Sequence, residues 1–245
     1  MALFPDLTSR HLVPELMDDP DLPKADHELA LQGLRRINAW SRTTSHLARV
    51  ILQIAKKNPQ RHWTLLDIGC ANGENLISLQ KQLSKEISVT SVGWDISPYA
   101  IQQAQELSLA HKLSADQLRF ETVDALSLLD SAPQADIVMN SLFMHHFEAE
   151  SVVELLSQSA KLARVALVAD DLHRTSLGWL LAKIGCLVLS RSRVVHFDGP
   201  QSVRAAFSIQ EISDLAHQAG LKQFDIHRHW PERYTLIWHR TTGHP

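Results

Sequence analysis

One apolar run in this chain closes on a carboxylate and then on two glycines four residues apart: Leu65-Leu66-Asp67-Ile68-Gly69-Cys70-Ala71-Asn72-Gly73. A short apolar run ending in turn formers reads as a buried strand. Glycines let the backbone reverse tightly and come close to a ligand with no side chain in the way. A strand feeding a helix through such a turn belongs to an open parallel sheet, where ligands collect beyond the carboxyl ends of the strands. The spacing is Gly-x-x-x-Gly. It lacks the three glycines of the dinucleotide fingerprint and the Gly-Lys-Ser/Thr of a phosphate loop, so the turn favours a ligand without a polyphosphate.

From residue 59 onward, short apolar runs alternate with amphipathic segments. Strands are predicted at 63–68, 87–94, 118–123, 135–141 and 164–169, and helices at 74–84, 98–112 and 148–162. Ser97 is placed to cap the second of these helices, with Pro98 at its first position. The alternation implies right-handed crossovers and a parallel sheet covered on both faces. The stretch 175–207 breaks the rhythm with an apolar helix and then an irregular polar segment around 196–202. A helix at 209–219 ends at Gly220, and strands at 223–229 and 234–240 close the chain. Ahead of the core, residues 1–26 read as an irregular arm rich in Pro and Asp, and 27–57 as two helices.

Composition narrows the function classes. A formal charge of -3 and the absence of any run of five basic residues give no electrostatic footprint for nucleic acid. Cys70 and Cys186 form neither a disulfide framework nor a zinc motif, which fits a reducing cytoplasm. The opening Met1-Ala2-Leu3-Phe4-Pro5-Asp6 lacks a basic segment before an apolar core and does not read as a signal peptide. The apolar stretch 177–189 is too short to span a bilayer and is interrupted by Lys183. The 14 histidines are scattered.

Asp67, Asp95 and Asp124 end three successive predicted strands. Each could simply cap the turn that follows it. In concert with the glycines they suggest a nucleoside site: a carboxylate after the second strand can accept both hydroxyls of a ribose, and one after the third can accept from the exocyclic amine of adenine. This constellation resembles the class I S-adenosylmethionine-dependent methyltransferases over about residues 63–240. The resemblance implies a Rossmann-like, doubly wound α/β fold with a seven-stranded sheet, mostly parallel with a C-terminal antiparallel hairpin. It implies a cap over 1–58, a core over 59–245, and an acceptor lid at 175–207. It further implies that Asp67, Gly69, Cys70, Ala71 and Gly73 face the methionine end of S-adenosylmethionine, that Asp95 holds the ribose, that Ile96 packs on the adenine, and that Asp124 with Ala125 meets its edge. Asn140 matches a position that meets the methionine moiety. Asn72 and Trp94 depart from the residues common at their positions.

Methyl transfer from a sulfonium needs alignment and exclusion of water, and a base if the acceptor is a hydroxyl. His173, following the fifth strand, is the leading candidate for that base. His146 resembles the second histidine of ubiquinone-biosynthesis-type methyltransferases, and His196 could pair with Asp198. His145, Asp171, Trp179 and Arg204 are candidates for the acceptor pocket. Adjacent Asp170 and Asp171 point to opposite faces of a strand and are poorly placed to share an ion, so no metal is expected. Ile37-Asn38, the turn from Asp171 to Arg174 and the stretch from His196 to Arg204 look like methyltransferases of bacterial polyketide-type phenolic lipid pathways. That likeness implies O-methylation of a phenolic or quinone-like, lipophilic acceptor. C-methylation of an activated ring and a non-catalytic cofactor binder are the alternatives. Peripheral membrane contact and a homodimer stay open as associations.

Overall fold

The computed structural model describes residues 5–19, 21–127 and 132–240. Met1 to Phe4 of the segment considered for a leader, and the ends of the divisions 1–58 and 59–245, lie outside the described residues.

Two helices, α1 (Lys24–Ser41) and α2 (Thr43–Lys57), precede the core. The core then runs β1 (Trp63–Ile68), α3 (Glu74–Leu83), β2 (Val89–Asp95), α4 (Pro98–Ala110), β3 (Leu118–Thr122), β4 (Ala135–Ser141), α5 (Ala149–Leu162) and β5 (Ala163–Leu172). Next come α6 (Ser176–Leu189), α7 (Arg193–Ala205), α8 (Ile209–Gln218), β6 (Phe224–His229) and β7 (Arg233–His239). The sheet has seven strands in the order β3-β2-β1-β4-β5-β7-β6. The first five are parallel to one another, and β7 is antiparallel to both β5 and β6. This is the Rossmann-like, doubly wound fold expected. The order reverses between β1 and β4, so a crevice opens at their carboxyl ends.

Strand alternation divides the core in two. Leu65, Ile137, Met139 and Val168 face α2, α3 and α4, meeting Leu47, Ile51, Leu76 and Ile101. Leu66, Val138, Leu167 and Ala169 face the other side, meeting Val152, Leu155 and Leu156 of α5 and Ile212 and Leu215 of α8. The caps follow the sequence: the Ser97 hydroxyl accepts from the Ala100 amide at 3.2 Å, and Ser208 with Glu211 forms a capping box.

Two elements differ from expectation. The segment expected to be irregular is helix α7, even though Pro200 lies inside it. Pro200 removes a helical hydrogen bond, but Val194, Val195 and Val203 are buried. Gly199 also lets Cys186 of α6 approach, where a Cβ would meet its Sγ at 2.3 Å. Strand β5 runs on through Asp170 and Asp171 because β7 pairs with it as far as Leu172.

Candidate active site

The turn after β1 is built by backbone geometry that glycine permits. Gly69 has φ +75°, and a Cβ there would sit 2.3 Å from the Phe143 ring. The Gly69 and Cys70 amides donate to the Trp94 carbonyl at 2.8 and 3.0 Å, which ties the turn to the end of β2. Asp95 fastens it from below: Oδ2 accepts from the Ala71 amide at 2.8 Å and Oδ1 from the Ser97 amide at 2.9 Å.

Asp67 is buried, and its Oδ1 has no hydrogen-bond partner. Burial, with the Asp95 charge beside it, pushes its carboxyl up to about 8. Ser141 Oγ and both amide atoms of Asn140 are likewise buried without partners. Buried polar atoms are normally satisfied, so this cluster at adjoining strand ends fits a polar ligand. Burial also raises the Cys70 thiol, which therefore stays protonated.

A cavity of about 940 Å³ begins at this turn, with Asp67, Gly69, Cys70, Ala71, Asp95 and Ser141 on its wall. It continues to His145 and His146 on the turn after β4 and is roofed by Met17 and Leu22 of the arm, Leu31, Leu34 and Ile37 of α1, and Leu181 of α6. His145 Nδ1 donates to Asp171 Oδ1 at 2.6 Å, and its backbone amide donates to Asp171 Oδ2 at 3.0 Å. Its Nε2 lies 3.8 Å from Glu15 Oε1. Burial works against protonating His145, but the charge and hydrogen bond of Asp171 outweigh it, with Glu15 adding to them, and raise it to about 9. His146 packs against it with ring centroids 4.3 Å apart. Desolvation, then the His145 charge, lowers His146 to about 4.

Glu15 is the residue that sequence reasoning missed. It belongs to the arm, which is strapped across α7: the Leu16 and Met17 amides donate to the Asp198 carboxylate at 2.8 and 3.1 Å, and the Ser202 hydroxyl donates to Glu15. Arg10 holds the other end, donating to the carbonyls of Ala205 at 2.7 Å and Phe147 at 2.8 Å. Burial pushes the Glu15 carboxyl up, but its contacts with His145 and His146 prevail and hold it near 2. Nothing in the sequence singled it out among the charged residues of an arm rich in Pro and Asp.

Other candidates stand apart from the cavity wall. Asp124 is exposed and caps its own turn, accepting from the Leu126 amide at 3.0 Å and the Ser127 hydroxyl at 2.6 Å. Ala125 is core, and Ile96 is 66 % exposed beside Asp95. Gly73, with φ +73°, packs against Phe120. His173 is buried beneath the hairpin, with Nδ1 3.8 Å from Glu232 Oε2. Burial and the nearby Arg228 lower its pKa. His196 Nε2 donates to the Ser190 carbonyl at 2.9 Å, Arg204 pairs with Gln201 at 2.8 Å, and Lys183 sits over the Trp179 ring. Asp170 serves a separate network, accepting from His229 Nε2 at 2.6 Å and the Thr235 hydroxyl at 2.9 Å.

Residues 66–165 match the family described as a methyltransferase domain. This segment, from β1 to the start of β5, is therefore similar to methyltransferase domains. The fold of the chain is similar to that of the plantazolicin methyltransferase BpumL solved with SAH, at 17% identity and a TM-score of 0.69, covering 91% of this chain and 92% of that one. It is similar to that of magnesium protoporphyrin IX methyltransferase from Synechocystis PCC 6803, solved with SAH, at 20% identity and a TM-score of 0.56, covering 91% and 90%. A second plantazolicin methyltransferase, BamL, bound to a triazolic desmethylPZN analog and SAH, gives 20% and 0.62 over 84% and 72%. No curated protein matches the sequence significantly.

Proposed function

We propose that this methyltransferase acts on the hydroxyl of a small lipophilic acceptor, phenolic or quinone-like. One observation carries the reading: a single cavity joins the unpartnered polar atoms at the ends of β1 and β4 to a histidine pair under an apolar roof. S-adenosylmethionine supplies a methyl group already activated on a sulfonium, so the chain has to align the acceptor, exclude water and take one proton. Asp67, Asn140 and Ser141 serve the amino-acid end of the cofactor across the turn 69–73, and Asp95 serves the ribose. Ile96, Asp124 and Ala125 flank the adenine. The hydroxyl proton leaves at the pair His145–His146, where Asp171 orients the first ring and the second opens to the cavity. His173 and His196 hold structure around the site.

The arm and α1–α2 act as a cap, and α6 with α7 as the acceptor lid, carrying Trp179 and Arg204. Leu177, Ile184, Leu187 and Val188 on the outer side of α6 are exposed, which supports contact with a membrane surface or a second copy. None of the described helices is long and apolar enough to cross a membrane. The two free cysteines suit a reducing, cytoplasmic setting. Neither magnesium protoporphyrin IX nor plantazolicin, for which the similar structures are named, is a nucleic acid, and this agrees with a small acceptor.

The test is incubation with methyl-labelled S-adenosylmethionine and a panel of long-chain alkylphenols, resorcinols and quinols, read by mass spectrometry and NMR. We expect label on oxygen. Label on ring carbon replaces O- with C-methylation, and no transfer by a protein that binds S-adenosylhomocysteine sinks the acceptor class.

A further inference from the structure

We propose that Glu15, His145 and His146 bind a divalent transition-metal ion, of the zinc or cobalt class, on the wall of the acceptor cavity. One ligand atom from each residue lies within 4.8 Å of the other two. His145 Nε2 and Glu15 Oε1 are 3.8 Å apart, which is too far for a hydrogen bond. It is within the roughly 3–4 Å that separates two ligands of one ion bonded at about 2.1 Å. A small inward rotation of the side chains completes the set.

The surroundings are those of a ligand group. His145 Nδ1 donates to Asp171 Oδ1 at 2.6 Å, so in the neutral ring Nε2 carries the free lone pair. A carboxylate behind an imidazole in this way orients metal-bound histidines and raises their basicity. His146 forms no side-chain hydrogen bond among the described residues and meets His145 by ring contact. Glu15 and Asp171 bring two negative charges to one imidazole, with side chains only 17% and 1% exposed. An ion of charge +2 with neutral rings leaves the group uncharged, which relieves the cost of unpaired buried charge. Glu15, His145 and His146 all line the cavity, and so the remaining coordination positions open towards it.

A second group of suitable residues, His46, Asp170 and His229, lacks these properties. Its Nε2 atoms are already hydrogen-bonded to Thr235 at 2.8 Å and Asp170 at 2.6 Å, and the Arg233 guanidinium stands 3.8 Å from Asp170. Both imidazoles are thus already engaged and a fixed cation stands beside the carboxylate, so this group provides the control.

The inference rests on the proposed function only in taking the open positions to face the acceptor. With an ion bound, both rings are ligands and an acceptor oxygen would complete the coordination. Without one, the His146 ring remains available for the hydroxyl proton.

The test uses full-length protein freed of metal by dialysis against a chelator. It is titrated with Co²⁺ by visible absorption and with Zn²⁺ by calorimetry, and S-adenosylhomocysteine binding is measured in parallel on every variant. We expect one ion per chain and ligand-field bands from Co²⁺. Glu15→Gln and His146→Ala should each weaken binding by about tenfold or more, and His46→Ala should leave it unchanged. Retained S-adenosylhomocysteine binding shows that a variant is folded and tests the cofactor reading separately. If the native chain binds S-adenosylhomocysteine but neither ion, the site is overturned and methyl transfer stands. Ion binding that survives both substitutions, or that His46→Ala abolishes, overturns it equally.

Discussion

Asp171 holds His145 twice, by the ring Nδ1 at 2.6 Å and by the backbone amide at 3.0 Å, with both residues almost fully buried. One carboxylate thus fixes both the turn after β4 and the orientation of the imidazole. Asp171→Asn keeps the shape but removes the charge from a buried pair. It should lower unfolding stability by about 1–3 kcal/mol, seen as a lower urea midpoint with unchanged slope.

Asp95 and Asp124 occupy equivalent strand-end positions, yet only Asp95 lines the cavity. Asp95→Ala also frees the Ala71 amide, and so should weaken S-adenosylhomocysteine binding by about 1.5–3 kcal/mol in calorimetry. Asp124→Ala should weaken it less, because that carboxylate is engaged with Leu126 and Ser127. A larger effect at Asp124 would reverse the assignment of the two.

His146 and His173 separate by the same criterion. His146→Ala should lower kcat by about 10²–10⁴ with cofactor affinity retained, the usual range for a proton-transfer group. His173→Ala should act through stability instead, lowering the thermal midpoint while the rate of the folded fraction stays near native.

Gly69→Ala places a methyl inside the Phe143 ring at a backbone conformation that side chains rarely adopt. The strain costs about 1–3 kcal/mol, and the turn must shift to relieve it. Thermal unfolding with and without S-adenosylhomocysteine should show a lower midpoint and a smaller ligand-induced rise than in the native chain.

His46 stacks on His229 at a centroid distance of 3.7 Å. Burial first, then the His229 charge, lowers it from 6.5 to about 4. Between those values the unfolded chain binds more protons than the folded one, so stability falls as pH drops through this window and the effect is complete below it. Urea midpoints should decline from pH 6.5 to 4, and His46→Gln should make that decline shallower.

The parallel core was legible because its signals are local. Leu65 and Leu66 alternate between faces, Ser97-Pro98 starts a helix, and Gly69 and Gly73 mark a turn that other residues take only under strain. The helix α7 was hidden because Gly199 and Pro200 oppose helix in isolation, and burial of Val194, Val195 and Val203 with packing against Cys186 reverses that preference. Glu15 was hidden more deeply: no periodicity relates an arm residue to a histidine 130 positions later.

Sequence alone determined the element types of the parallel core, its sheet and the Gly-rich turn beside Asp67 and Asp95, since each depends on neighbours a few residues apart. Tertiary structure alone decided which histidines face the cavity, that Asp124 turns to its own loop, and that the arm delivers a carboxylate to His145. Those outcomes depend on contacts between segments far apart in the chain, where burial and charge, rather than local propensity, set the geometry.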